Sequence, residues 1–163
     1  MSYLYTSATF SPGREHRYHL LRLWDVSVKP LKLCMFIGLN PSTADEKQDD
    51  PTVRRCVAFA KRLGCHGMHM MNIFAYRATD PDVMKRAFDP VGEDNDDWLR
   101  VIALDSAFTI ACWGVHGQHL SRGVQVKRIL SKITPSLCCF GMTKDGHPKH
   151  PLYLKADSPL VAF

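Results

Sequence analysis

Apolar residues in this chain fall into two kinds of pattern, and the two alternate. Short unbroken runs read as strands buried on both faces: Leu31–Leu39, Met68–Tyr76, Phe108–Trp113 and Leu137–Phe140. Between them, apolar positions recur at three and four. In residues 52–63, Val53, Cys56, Val57, Ala60 and Leu63 mark one helical face, and Gly64 stops the run. The same reasoning predicts a short helix near 82–87, a helix over 93–104 that starts in acidic residues suited to its dipole, and one helix over roughly 117–132. Residues 3–10 and 16–24 flank Ser11-Pro12-Gly13-Arg14, which predicts an N-terminal β-hairpin.

Strands alternating with helices imply parallel βαβ units. The expected fold class is therefore α/β: a three-layer α/β/α domain with a central, mostly parallel four-stranded sheet, preceded by the hairpin as an extension over residues 1–30. In such open sheets ligands bind beyond the carboxyl ends of the strands. Each predicted strand ends in something unusual there: Gly38-Leu39-Asn40-Pro41-Ser42, Asn72 with Arg77, Trp113-Gly114, and Thr143 through Tyr153. These four segments are expected to converge on one cleft.

Length and composition fit this picture. The 163 residues make one domain of ordinary size, and 45% apolar content allows a real core. The formal net charge of +5 suits a partner carrying phosphate without demanding one. The six cysteines form no CxxC pair and four lie within apolar runs, so they read as buried thiols in a cytoplasmic protein. No apolar run approaches the ~20 residues of a membrane span, and no membrane association is expected.

Three segments carry chemistry. In Gly38-Leu39-Asn40-Pro41-Ser42, glycine permits close backbone approach, Asn40 offers donors and an acceptor at a strand tip, and Ser42 or Thr43 could cap the following helix. The same residues also make an ordinary Asn-Pro turn. Asn72, inside an apolar strand, is either a satisfied core amide or a reader of a ligand's amide edge. Arg77 meets phosphate, or pairs with Asp80 or Asp82. In the third segment, Pro151 fixes the backbone after His150, whose imidazole could donate to an oxygen gaining negative charge. Lys144, Lys149 and Lys155 surround it and suit a phosphate backbone. The paired acids Asp45/Glu46, Asp49/Asp50 and Asp94/Asp96 read as caps and solvated faces, with Asp49 or Asp50, which lie just after the Asn-Pro loop, the ones to test as metal or acid–base groups.

In this order, these segments resemble the uracil-DNA glycosylase superfamily over roughly residues 31–154. The chain is also similar to a bacterial and phage family known mainly as DUF1643. Gly38-Leu39-Asn40-Pro41-Ser42 resembles the first motif of the mismatch-specific branch, GINPG, which implies that Asn40 positions an attacking water. Met71-Asn72 followed by Arg77 resembles the strand whose Asn reads the uracil edge. Trp113-Gly114 resembles the Trp-Gly that ends the third strand in the classical branch. His150-Pro151-Leu152-Tyr153-Leu154 resembles the final HPS motif, which implies that His150 stabilises the base O2, although Leu152 stands in place of Ser.

The resemblance implies hydrolysis of the N-glycosidic bond of a uracil-like or modified pyrimidine, with nucleic acid (DNA first) or a nucleotide as partner. It implies no metal and no cofactor. Asn40 and His150 are the catalytic candidates, and Asn72, Gly38, Leu39 and Phe74 the base-binding ones. Ser42, Thr43, Arg77, Thr143, Lys144 and Lys149 are the candidates for phosphate. No aromatic platform follows the first motif, and Phe74 or Tyr76 are the available substitutes. Two other functions fit the same fold: a non-catalytic nucleic-acid or nucleotide-binding module, and an enzyme acting on free nucleotides. None of these patterns encodes an oligomeric state.

Overall fold

The computed structural model describes residues 2–134 and 137–163. The chain forms a mixed α/β domain around one seven-stranded sheet, in the order β1-β2-β4-β3-β5-β6-β7. The strands are β1 (Tyr5–Phe10), β2 (Arg17–Leu23), β3 (Leu33–Gly38), β4 (Gly67–Asn72), β5 (Phe108–Ala111), β6 (Leu137–Cys139) and β7 (Val161–Ala162). β3 runs parallel to β4 and to β5, and β5 runs parallel to β6. The β1–β2, β2–β4 and β6–β7 ladders are antiparallel.

Alternation along β3 explains how the sheet is covered. Cys34 and Phe36 face one apolar cluster, which takes Val53, Cys56, Val57, Phe59 and Ala60 from α1 (Pro51–Arg62). Met35 and Ile37 face the other. It takes Leu99, Ile102 and Ala103 from α3 (Asn95–Leu104), and Val126 and Leu130 from α4 (Arg122–Leu130). A strand with both faces covered needs apolar residues at every position, and all six residues of β3 are buried. Met84 of the short α2 (Pro81–Arg86) joins the second cluster.

Three expectations need correction. The four-stranded sheet with a separate hairpin is replaced by a single mixed sheet. β2 pairs with β4 from Leu20↔Met70 to Leu23↔Gly67, so the hairpin is part of the sheet rather than an appendage. Its residues Tyr18, Leu20 and Arg22 are buried, and burying them requires that pairing. Second, the helix expected over 117–132 is broken. A 3₁₀ segment, Val115–Ser121, precedes α4, and Leu120 (φ 51°) and Ser121 (φ 54°) adopt left-handed conformations between the two. Third, β7 closes the far edge, an element too short to leave a periodic signal.

Five of the six cysteines are buried, and the sixth, Cys138, is half-buried. Among the described residues, no helix is long and apolar enough to cross a membrane.

Candidate functional site

A cleft of about 570 Å3 opens at the carboxyl ends of β3, β4 and β5. It brings together Asn40, Asn72 and His150, which are separated by up to 110 positions in sequence. The loop after β3 supplies one wall, and the segment from Thr143 to Tyr153 supplies the facing one.

The end of β4 is held from below. Asn95 Nδ2 donates to the carbonyl oxygens of Asn72 (3.0 Å) and Ile73 (3.2 Å), and Arg122 Nε donates to that of Ile73 (2.8 Å). Asn72 itself is 2% exposed. Its Oδ1 accepts from Arg17 Nη2 at 3.1 Å, which fixes the amide orientation and leaves Nδ2, on the Gly38 side, without a hydrogen-bond partner among the described residues. Gly38 lies opposite in the ladder. A Cβ there would sit 2.9 Å from Asn72 Nδ2 and 2.8 Å from Met70 Cε, so only glycine admits this side chain.

Asn40 is oriented the other way. Its Nδ2 donates to the carbonyls of Ala78 (2.7 Å) and Pro41 (3.1 Å), stapling the loop after β3 to the loop after β4. Its Oδ1 is left as an acceptor. Asn72 thus presents a donor and Asn40 an acceptor, each because its other end is engaged by the chain.

His150 is placed by a chain of backbone bonds. Lys149 N donates to Gly141 O, and Gly114 N to Pro148 O, with Gly114 at φ 71° where β5 turns away. The Nδ1 of His150 accepts from Leu152 N at 3.4 Å, a long contact that nonetheless selects the tautomer carrying its proton on Nε2. Burial lowers the imidazole pKa, and the Asp50 carboxylate opposes this. The ring is therefore neutral near pH 7, with an N–H donor available.

Asp50 also lines the cleft. Its Oδ1 accepts from Val53 N at 2.8 Å, capping α1 one residue before Pro51. Four of the other five paired acids have structural partners, and Asp94, at the start of α3, makes no side-chain cap bond. Asp49 pairs with Arg22, Glu46 with Arg14 and Asp96 with Arg122, while Asp45 accepts from Lys47 N and Gln48 N.

Of the remaining sequence candidates, Gly38, Leu39, Ser42, Thr143 and Lys149 line the cleft. Four do not. Phe74 is fully buried in the cluster beneath α3 and α4, because β4 ends at Asn72 and the chain turns it inward. Arg77 donates to Arg14 O and lies over the Phe10 ring, pairing with neither Asp80 nor Asp82. Thr43 and Lys144 are exposed outside the cleft. Tyr76 is also no platform, since it packs edge-on against His16. The aromatic groups at the cleft are Trp113, whose indole packs against Gly117 and Gly123, and Tyr153, 84% exposed at the rim. Leu152, 48% exposed, is also at the rim and not in the core.

Sequence reasoning passed over Arg17, the first residue of β2. It is 2% exposed and lines the floor of the cleft. Besides its bond to Asn72, its Nη1 donates to Ala44 O at 3.0 Å. Arginine at a strand start normally reads as solvated, and nothing in the sequence marks this one as buried.

The family model for DUF1643, a protein family of unknown function, matches residues 17–152. The chain belongs to the DUF1643 family. The matched span begins at Arg17 itself, so the DUF1643 unit includes β2 and its floor arginine, and ends within the HPLY segment at Leu152. No curated protein and no solved structure matches this DUF1643 chain.

Proposed function

We propose that the cleft hydrolyses the N-glycosidic bond of a uracil-like or modified pyrimidine nucleotide. The observation that carries this reading is the meeting of Asn40, Asn72 and His150 around one space, with complementary polarity. Cleavage sends the C1′–N1 electron pair into the base, so negative charge develops on its O2. His150 Nε2–H donates to that oxygen, and a donor already aimed at developing charge lowers the barrier. Asn40 Oδ1 accepts from a water whose oxygen bonds to C1′ and whose proton is released to solvent, while the departing base anion is protonated by solvent, so that no net proton is gained or lost. Asn72 Nδ2 donates to the base carbonyl at the far edge.

Reaching such a base in a duplex requires flipping it out of the stack. Leu152 and Tyr153, at the rim, would fill the vacated stack, and Ser42, Thr143 and Lys149, which line the cleft, would contact flanking phosphates. The superfamily resemblance of the motifs agrees with these roles.

The test is release of base from single- and double-stranded oligonucleotides carrying uracil, a G·T mismatch or a hypermodified pyrimidine, read as cleavage at abasic sites. Product from at least one substrate is expected. Asn40→Ala and His150→Ala should each reduce the rate about 10²–10³-fold, with melting curves recorded first because Asn40 also joins the loops after β3 and β4. No product across the whole panel would overturn the proposal.

One observation favours a second reading, a non-catalytic nucleotide-binding module. Asn72 Oδ1 already serves Arg17, so the amide does not offer a full donor–acceptor edge to a base. That reading expects salt-sensitive binding without product.

A further inference from the structure

Arg17 is a buried cation that makes no ion pair among the described residues. Among the described residues, no carboxylate lies within 4 Å of its guanidinium. Its Nε is buried and has no hydrogen-bond partner among the described residues. Of its five N–H groups, the chain engages one on each Nη, at Ala44 O and Asn72 Oδ1. A buried charge left in this state is costly unless something completes it. Arg22, the other buried arginine of β2, shows the alternative, since it pairs with Asp49 and donates to two loop carbonyls.

Burial pushes the Arg17 pKa down to about 10, partly offset by Asp50, so the group is still a cation at neutral pH. The charged groups around it are few. Asp50 and Asp45 act on it without contact, and Arg77 and Arg22 add positive potential. His150 across the cleft is held toward neutrality. Beside the guanidinium, Asn72 Nδ2 adds a second donor with no hydrogen-bond partner among the described residues. The floor is therefore rich in donors, and the two carboxylates that act on Arg17 are already engaged, Asp50 as a helix cap and Asp45 with the Lys47 and Gln48 amides.

We propose that Arg17 and Asn72 form an oxyanion-reading floor, and that the cleft takes a pyrimidine ligand presenting a compact oxyanion to it. Two sources share this chemistry: a carboxylate on the ring and a nucleotide phosphate. A planar guanidinium matches the two oxygens of either. The ring part of this inference rests on the glycosidic reading of the same cleft, and the oxyanion part rests on the floor alone.

Calorimetric titration of the full chain with four probes tests it: uracil, 6-carboxyuracil, uridine monophosphate and inorganic phosphate. At least one oxyanion probe should bind tenfold or more tighter than uracil. Preference for 6-carboxyuracil assigns the ring carboxylate, whereas preference for uridine monophosphate and phosphate assigns the nucleotide phosphate. Equal binding of all four, or binding of none, overturns the inference.

Arg17→Gln should abolish the preference, with its melting curve recorded first because Arg17 also holds Ala44. Asn72→Asp provides a check that keeps the Arg17 contact, since a carboxylate oxygen still accepts from Nη2 while neutralising the floor. It should weaken oxyanion binding at least tenfold and weaken uracil binding less. Unchanged oxyanion binding in Asn72→Asp overturns the inference. Base release from oligonucleotides is a separate readout. Catalysis without oxyanion preference sinks this inference alone, and oxyanion binding without base release sinks the hydrolytic proposal alone.

Discussion

At the scale of the residue, the cleft depends on side chains whose two ends do different things. Asn40 spends its donors on Ala78 and Pro41 and keeps its oxygen, while Asn72 spends its oxygen on Arg17 and keeps its nitrogen. This division requires room at Gly38. Adding a methyl there places carbon 2.8–2.9 Å from Met70 Cε and Asn72 Nδ2. Met70 can swing away, but Asn72 is tied to Arg17, so the amide should be displaced. Gly38→Ala is expected to cost about 1–3 kcal/mol, the usual range for overpacking, and to weaken ligand binding as strongly as removing the Asn72 amide. Urea denaturation beside ligand titration checks both. Full binding in a destabilised variant would show that Asn72 does not read the ligand.

At the scale of the element, β2 organises the site although it contributes only one residue to the cleft. Arg22 donates through Nε to Asp49 Oδ1 and through Nη2 to the carbonyls of Asp45 and Gln48. Tyr3 hydrogen-bonds to the other oxygen of Asp49. The β3–α1 connection is thus anchored by two arginines from a strand in a different part of the sequence. Removing Arg22 leaves Asp49, itself largely buried, without its cation. Arg22→Ala should cost on the order of 3–5 kcal/mol, as breaking a buried ion pair does. It should also expose residues 43–50 to amide exchange before the rest of the chain. Uniform loss of protection would mean that Arg22 supports the whole sheet and not this loop.

The elements themselves were largely legible in the sequence, because buried strands and amphipathic helices leave patterns of different period. Boundaries of β3, α1 and α3 fall within about two residues of expectation. Asn40, Asn72 and His150 were legible as breakers at strand ends. The arginines were not. The sequence HRYHLLRL looks the same whether its charges meet water or carbonyl groups, and only the β2–β4 pairing decides that. The break at Leu120 and Ser121 was hidden for a similar reason, since neither residue type announces a left-handed backbone.

At the scale of the molecule, the β2–β4 seam makes stability depend on pH. His19 Nε2 and His69 Nδ1 lie 2.7 Å apart across it, and His19 stacks on Trp98 of α3. Burial pushes the pKa of His19 down to about 3 and that of His69 to about 4, each further modified by neighbours, whereas an unfolded imidazole titrates near ~6.5. The folded state thus binds these protons less readily than the unfolded state. Their contribution is fully present above pH ~6.5 and is lost as pH falls from there toward 4 and then 3. Between pH 6.5 and 5 most carboxylates stay ionised, so the histidines dominate the slope. Each should contribute up to about 1.4 kcal/mol per pH unit. His150 is shifted the same way and adds to the slope, so the measurement is a difference between variants. Denaturation midpoints of the wild type and of a His19→Phe, His69→Leu double variant, taken at half-unit steps from pH 7.5 to 5, should diverge in slope. The double variant should lose most of its acid sensitivity while β2 stays docked on β4. Parallel slopes would show that the pair is already charged in the folded seam, and that β2 is held by its arginines rather than by a neutral, buried contact.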